Sequence, residues 1–253
     1  DDNRDRLSFP IVNIVLIGLN ILVFVAFQQL ATNDNFTLTY SAVPAEIASG
    51  EDKVTEDRER VIQTPQGRVR VQVPGLQKTP IHVYLTIFTA MFMHGSLAHI
   101  AGNMWFLWIF GDNIEDDLGR LRYTIFYLLC GVLATLAHVF VSLSGDSALT
   151  PSLGASGAIS GVLGAYLVLH AHRRVTVIIL RFGTMDVPGF VAVGIWFLFQ
   201  LVEGLGLLGG GGGGVAYMAH IGGFIAGAAL ILPFMLGRPR KDPPSTTGMD
   251  DER

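Results

Sequence analysis

Cysteine is nearly absent from this chain: Cys130 is the one thiol in 253 residues, and it lies inside an apolar run. A disulfide framework is therefore excluded. Charge is scarce as well. Asp, Glu, Lys and Arg make up 15% of the residues, whereas a soluble globular domain carries about a quarter. Half the residues are hydrophobic and the mean hydropathy is +0.47, a balance that excludes an ordinary soluble domain and marks a protein of the lipid bilayer. The net charge of −4 points to no particular partner, and nothing suggests nucleic acid. No internal repeat is present. A zinc-protease helix is missing too, because the histidines of "HGSLAH" are five apart, lack the glutamate of HExxH and would not share a helix face. No metal and no other cofactor is expected.

What the chain has in quantity is long apolar stretches. Measured against a hydrocarbon core of roughly 30 Å, six candidates stand out, near 11–29, 97–113, 123–143, 156–171, 187–203 and 215–236. The second and fourth are short and contain polar side chains, and their neighbours force the chain across. The expected architecture is an all-α, polytopic bundle of six transmembrane helices. It divides into an N-terminal tail (1–10), a first helix (11–30), an outer loop (31–90), a core with five further helices (91–236) and a C-terminal tail (237–253). Basic residues orient the bundle. Arg4 and Arg6, Arg120 and Arg122, Arg173, Arg174 and Arg181, and Arg238, Arg240 and Lys241 fall on one side, while loops 144–155 and 204–214 contain no Lys or Arg. The positive-inside rule then puts both termini in the cytoplasm. The first run lacks a small-residue cleavage site, which favours a retained span over a signal peptide. Within the outer loop, Glu51 to Arg60 is charge-rich and Val61 to Val73 alternates, with Gln66 and Gly67 placed as a turn, so a small hairpin is expected.

Two polar features interrupt the apolar runs. Gly154, Ala155, Ser156 and Gly157 open the fourth, and His220 sits early in the sixth. Both runs head inward, so Ser156 lies at a helix N-terminus near the outer surface and His220 roughly 8 Å below the start of its own helix. His99 begins the second run and Asn103 follows one turn deeper on the same face. All four fall in the outer part of the membrane. Gly157, Gly161 and Ala165 on one helix, and Ala219, Gly223 and Gly227 on the other, form small-residue stripes that let backbones approach in lipid. A serine hydroxyl needs a base to become nucleophilic, and imidazole suits that task near neutrality. No carboxylate neighbours His220 in sequence, so a Ser–His dyad is expected rather than a triad. Donors for an oxyanion are on offer from the Ser156 N–H, the Asn103 amide and the His99 ring. A plainer reading makes Ser156 and His220 interhelical hydrogen-bond glue. His138, His170 and His172 read as bundle or interface residues, His82 as solvated, Glu203 as interfacial, and Ser160 as bonded to its own helix backbone.

The segments "HGSLAHIAGNMWFLWIFGDNIEDDLGR", "GASGAISGVLGAY" and "AHIGGFIAG", in this order on three separate runs, resemble the rhomboid intramembrane serine proteases over about Thr89 to Pro233. That resemblance implies Ser156 as nucleophile, His220 as general base, and His99 and Asn103 as oxyanion-hole side chains. His94 is implied to be structural, as are Glu115, Gly119 and Arg120 at the inner turn, and Gly154, Gly157, Gly223 and Gly227 belong to the same framework. Substrates implied are single-span membrane proteins, cut at a small residue. Two departures stand out: Leu85 and Thr86 replace a Trp-Arg pair found in some members, and Ser160 replaces an aromatic one turn after the nucleophile. Gly209 to Gly214 precede the sixth run and read either as a mobile lid or as an inert linker. Other readings are a non-proteolytic rhomboid-like protein that binds transmembrane segments, against which retention of both Ser156 and His220 argues, and a small transporter. A bacterial inner membrane is the expected location, and the sequence does not fix the oligomeric state.

Overall fold

The computed structural model of the chain describes residues 8–64, 67–143, 145–179, 183–204 and 216–238. The Gly209 to Gly214 run and the tail beyond Arg238 lie outside the described residues. Helix α1 (Ile11–Leu22) runs on as a π-helical turn over Val23–Phe27. Short helices α2 (Asp34–Tyr40), α3 (Pro44–Ser49) and α4 (Thr86–Ala90) build the outer segment. The bundle continues with α5 (Leu97–Leu118), α6 (Arg120–Val141), α7 (Ser156–His170), α8 (Gly189–Gly204) and α9 (Ala216–Met235).

Helices thus occupy all six expected runs, but the fold is mostly helical rather than all-α. The outer hairpin is present, with β1 (Arg58–Thr64) and β2 (Gly67–Val73) antiparallel and Thr64 paired with Gly67. Gly67, expected in the turn, is the first residue of β2, and Gln66 lies outside the described residues. A second antiparallel hairpin, β3 (Arg174–Ile179) with β4 (Gly183–Pro188), fills the inner loop ahead of α8. It was not expected. Its signal is the β-branched run from Val175 to Ile179. Among the described residues, two helices are long and apolar enough to cross a membrane, α6 and Tyr217–Met235 of α9, while the apolar helices Ile11–Phe27 and Ser156–His170 are shorter. The shortfall has local causes. Helix α5 ends in Asp112, Glu115, Asp116 and Asp117, and α7 begins at a polar loop.

Those acidic residues belong to an inner-face frame. Glu115 is fully buried and accepts from the first-turn amides of α1, Val12 N at 3.0 Å and Asn13 N at 2.7 Å. A carboxylate at this positive helix end satisfies donors that have no partner within the helix. The chain then turns at Gly119, whose φ of +74° favours a residue without a side chain. Asp117 meets His170 at the end of α7 at 2.5 Å, and Arg173 donates to Asn113 at 2.9 Å. Arg122 donates to the Phe234 and Leu236 carbonyls at the end of α9, both at 2.8 Å.

Helix α7 is the centre of the bundle, buried from Ser156 through Tyr166. It packs parallel to α9 by backbone contact. A Cβ at Gly223 would lie 2.1 Å from the Gly157 carbonyl oxygen, and one at Gly227 would lie 1.9 Å from that of Gly161. On the α6 side, a Cβ at Gly161 would meet the Cys130 Cβ at 2.4 Å, and one at Gly157 would meet the Ala134 Cβ at 2.7 Å. The small-residue stripes are therefore the packing surface. Gly227→Ala is expected to destabilise the protein by about 1–3 kcal/mol through overpacking. Gly18→Ala, at an open helix position with nothing within 4 Å, should leave stability unchanged or raise it by up to about 1 kcal/mol. Unfolding of both variants in mixed micelles checks the contrast.

Candidate active site

Ser156 opens α7 because the chain before it cannot be helical: Gly154 has a φ of +130° and its N–H donates to the Ala90 carbonyl at 2.9 Å. As the first helical residue, Ser156 leaves its own N–H without an intrahelical acceptor. Its Oγ lies 2.8 Å from His220 Nε2, and both residues are buried. The hydroxyl and the imidazole thus meet across the α7–α9 contact. Gly154 also brings His99 in, since a Cβ there would stand 3.1 Å from His99 Cε1 and Nε2 and 3.5 Å from Ser156 Oγ. His99 sits in the first turn of α5, whose N-cap Ser96 accepts from its backbone N–H at 3.1 Å. Asn103 follows one turn deeper, 1% exposed, with neither its amide nitrogen nor its oxygen bonded within the protein. A buried amide is costly to leave unpaired, and both N–H donors of Asn103 are uncommitted within the protein.

The other singled-out residues fall where their duller readings put them. Ser160 Oγ donates to the Ser156 carbonyl at 2.7 Å. His82 is exposed beside Tyr84, His138 is buried on α6, and His170 bonds Asp117. His172 is exposed beside Phe190. Glu203 lies in the part of α8 whose side chains are outside the described residues. The Trp-Arg departure is accommodated without strain. Leu85 is exposed and Thr86 is buried with its hydroxyl on the Val83 carbonyl at 2.5 Å, and the outer segment is anchored elsewhere. Thr89 Oγ1 donates to the Tyr40 carbonyl at 2.7 Å, and Gln28 bonds both the N–H and the C=O of His94 at 2.8 and 3.0 Å.

Residues without reactive groups complete the site, and sequence reasoning missed them. Ala42 forms a two-way bridge with Ser152, Ala42 N to Ser152 O at 3.0 Å and the reverse at 2.8 Å. It thereby becomes a wall of a cavity of about 30 Å³ beside Ser156 and His220, with Ala90, Met91, Gly131, Ala134, Gly157 and Ala219 among its other linings. No composition or periodicity signals an alanine of this kind. Trp196, fully buried on α8, packs edge-to-face with His220 at 5.5 Å between ring centroids. The missing aromatic at residue 160 was the one hint that a ring would come from elsewhere.

The chain has relatives among known proteins. The Rhomboid domain family matches residues 82–237, and the chain belongs to that family of integral membrane proteins. It is 30% identical over 155 residues to Rhomboid protein 1, mitochondrial, of Saccharomyces cerevisiae, which covers 60% of this chain and 42% of that protein. It is 33% identical over 148 residues to Rhomboid protease GluP of Bacillus subtilis, covering 58% and 26%. Against the Presenilin-associated rhomboid-like protein, mitochondrial, of Bos taurus the identity is 34% over 119 residues, covering 43% and 31%. The chain therefore spans less than half the length of each of these relatives.

His94 lies just outside the α5 helix, fully buried between Phe24 and His99. Burial foremost, and then the neighbouring His99 imidazole, push it well below the usual histidine range. It is neutral in the fold, whereas in the unfolded chain it titrates near 6.5. Its contribution to stability is complete above that value and is lost as the pH falls below it. The melting temperature in detergent should accordingly drop between about pH 7.5 and about pH 5, and His94→Gln should flatten the drop. Parallel pH profiles for the two proteins would contradict this assignment.

Proposed function

We propose that this chain is an intramembrane serine endopeptidase that cleaves transmembrane-segment substrates with a Ser156–His220 dyad. The observation that carries the reading is the 2.8 Å contact between Ser156 Oγ and His220 Nε2 across two packed helices. Glue alone would account for a hydrogen bond, but not for the unpaired Asn103 amide or the His99 ring gathered beside the same hydroxyl. In this mechanism Ser156 Oγ attacks the scissile carbonyl carbon as His220 Nε2 takes the hydroxyl proton. The oxyanion that forms is met by the Ser156 N–H at the positive end of α7, by the Asn103 amide and by His99. Collapse breaks the C–N bond and His220 returns its proton to the leaving amine. Water, activated by the same imidazole, then hydrolyses the ester.

The cavity beside the dyad supports a small side chain at the cleaved residue, because its volume is only about 30 Å³. Single-span membrane proteins are the proposed substrates, reached within the bilayer. The chain itself supplies the argument for an outward-facing site: outside the long outer loop, which crosses largely regardless of its charge, the basic residues of the short loops and tails fall at the opposite end of the helices. Placement in a bacterial inner membrane draws no support from the relatives, several of which are named mitochondrial.

A serine-directed fluorophosphonate tests the reading. Purified protein should be labelled at Ser156, and Ser156→Ala should lose both labelling and cleavage of a tagged single-span protein, by about 10³-fold or more. Asn103→Ala should lower kcat by about 10²- to 10³-fold while leaving melting temperature near that of the parent. A wild-type chain that binds the single-span protein, cuts nothing and takes up no label would instead be a non-proteolytic binder.

A further inference from the structure

Resting on the protease reading above, we propose that the indole of Trp196 stabilises the imidazolium that His220 becomes when it takes the Ser156 proton. Trp196 is thus a positioning residue that does for the imidazolium charge what a carboxylate does in a triad.

The need for such a group follows from burial. Proton transfer creates a cation on a side chain that is 7% exposed, and an isolated charge out of water is strongly disfavoured. Among the described residues no carboxylate hydrogen-bonds His220, and its Nδ1 has no partner within the protein. His99, gathered beside the same hydroxyl, is a second imidazole and offers no negative charge either.

An aromatic ring can, through its π face, and Trp196 lies beside His220. The Trp196 and His220 centroids are 5.5 Å apart with the planes at 70°, inside the roughly 6 Å range of cation–π attraction, for which indole is the strongest of the three rings. Tyr217 is more distant at 6.4 Å. Trp196 is itself held by Phe106 and Phe197, both edge-on, at 6.2 and 5.0 Å. The choice of residue is informative, because the buried indole N–H makes no hydrogen bond within the protein. Phenylalanine would pack there without burying an unpaired donor. A stronger π face is what tryptophan adds. Helix α7 cannot supply a ring in its stead, since the position one turn past the nucleophile is Ser160, committed to the Ser156 carbonyl.

The experiment uses the full chain in proteoliposomes, with Trp196 replaced by Phe, Tyr, Met or Leu and, separately, by tryptophan carrying one to three ring fluorines. Three quantities are read: the rate at which a fluorophosphonate labels Ser156, and kcat and KM for cleavage of a tagged single-span protein. Labelling and kcat should fall from Trp through Phe and Tyr to Met and Leu, by about 3- to 30-fold overall, with KM moving less than about twofold. Fluorination drains the π face at nearly constant volume, so it keeps the test valid even if an aliphatic variant does not fold, and it should lower the rate stepwise. A flat fluorine series overturns the proposal, as does a rise in KM with kcat unchanged, or a gain of activity, either of which would make Trp196 part of the substrate path. If wild-type protein is never labelled at Ser156, the protease reading falls and takes this proposal with it. A labelled wild type with a flat series removes the Trp196 role alone.

Discussion

Where α7 and α9 meet, the carbonyl oxygens of Gly157 and Gly161 occupy the space in which side chains at 223 and 227 would begin. Everything at the candidate site follows from that approach. Serine is among the shortest polar side chains, and it can reach an imidazole on another helix only if the two backbones nearly touch. Glycine on both helices provides this, at the expense of helix propensity at each position. Lipid supplies no hydrophobic force to press helices together, so close van der Waals packing has to do so. The same approach leaves room for nothing larger, and α6 completes the enclosure with Ala134 and Cys130 against the same glycines of α7.

Around this contact lie two frames that fix its height. On the inner side, Glu115 holds the start of α1, Asp117 holds the end of α7 through His170, and Arg122 holds the end of α9. On the outer side, Gln28 ties the end of the first helix to His94, and Ala42 ties the outer segment to Ser152, four residues before the nucleophile. Both frames act on backbone ends rather than on the reacting groups, so the dyad's geometry is set by where helices start and stop.

Much of this was legible in the sequence because polar and glycine-rich positions are conspicuous against an apolar background. A GASG turn entering an apolar run, a histidine early in another, and small residues every four positions on both define the pair and its packing. The charge bias put Ser156, His220, His99 and Asn103 on one side, and the fold brings Ser156 within 2.8 Å of His220 and His99 beside them both. What escaped depended on tertiary contact. Ala42 has no chemistry until the chain folds back to pair it with Ser152. Trp196 looks like one more apolar residue until α8 lies against His220. The inner hairpin was hidden by its arginines, which read first as topology signals, although the valines and isoleucines between them favour a strand. Acidic residues late in α5 were visible, but not their assignment to α1, Ser8 and His170.

Cys130 is the chain's one sulfhydryl, and it is wholly inaccessible, pressed against the bare face of α7 so that a Cβ at Gly161 would stand 2.6 Å from its sulfur. An alkylating reagent gains entry at that spot only when α6 and α7 part. The molecule therefore carries an intrinsic strain gauge on the helix that begins with Ser156, and its reaction with maleimides clocks the breathing of the bundle without any engineered probe.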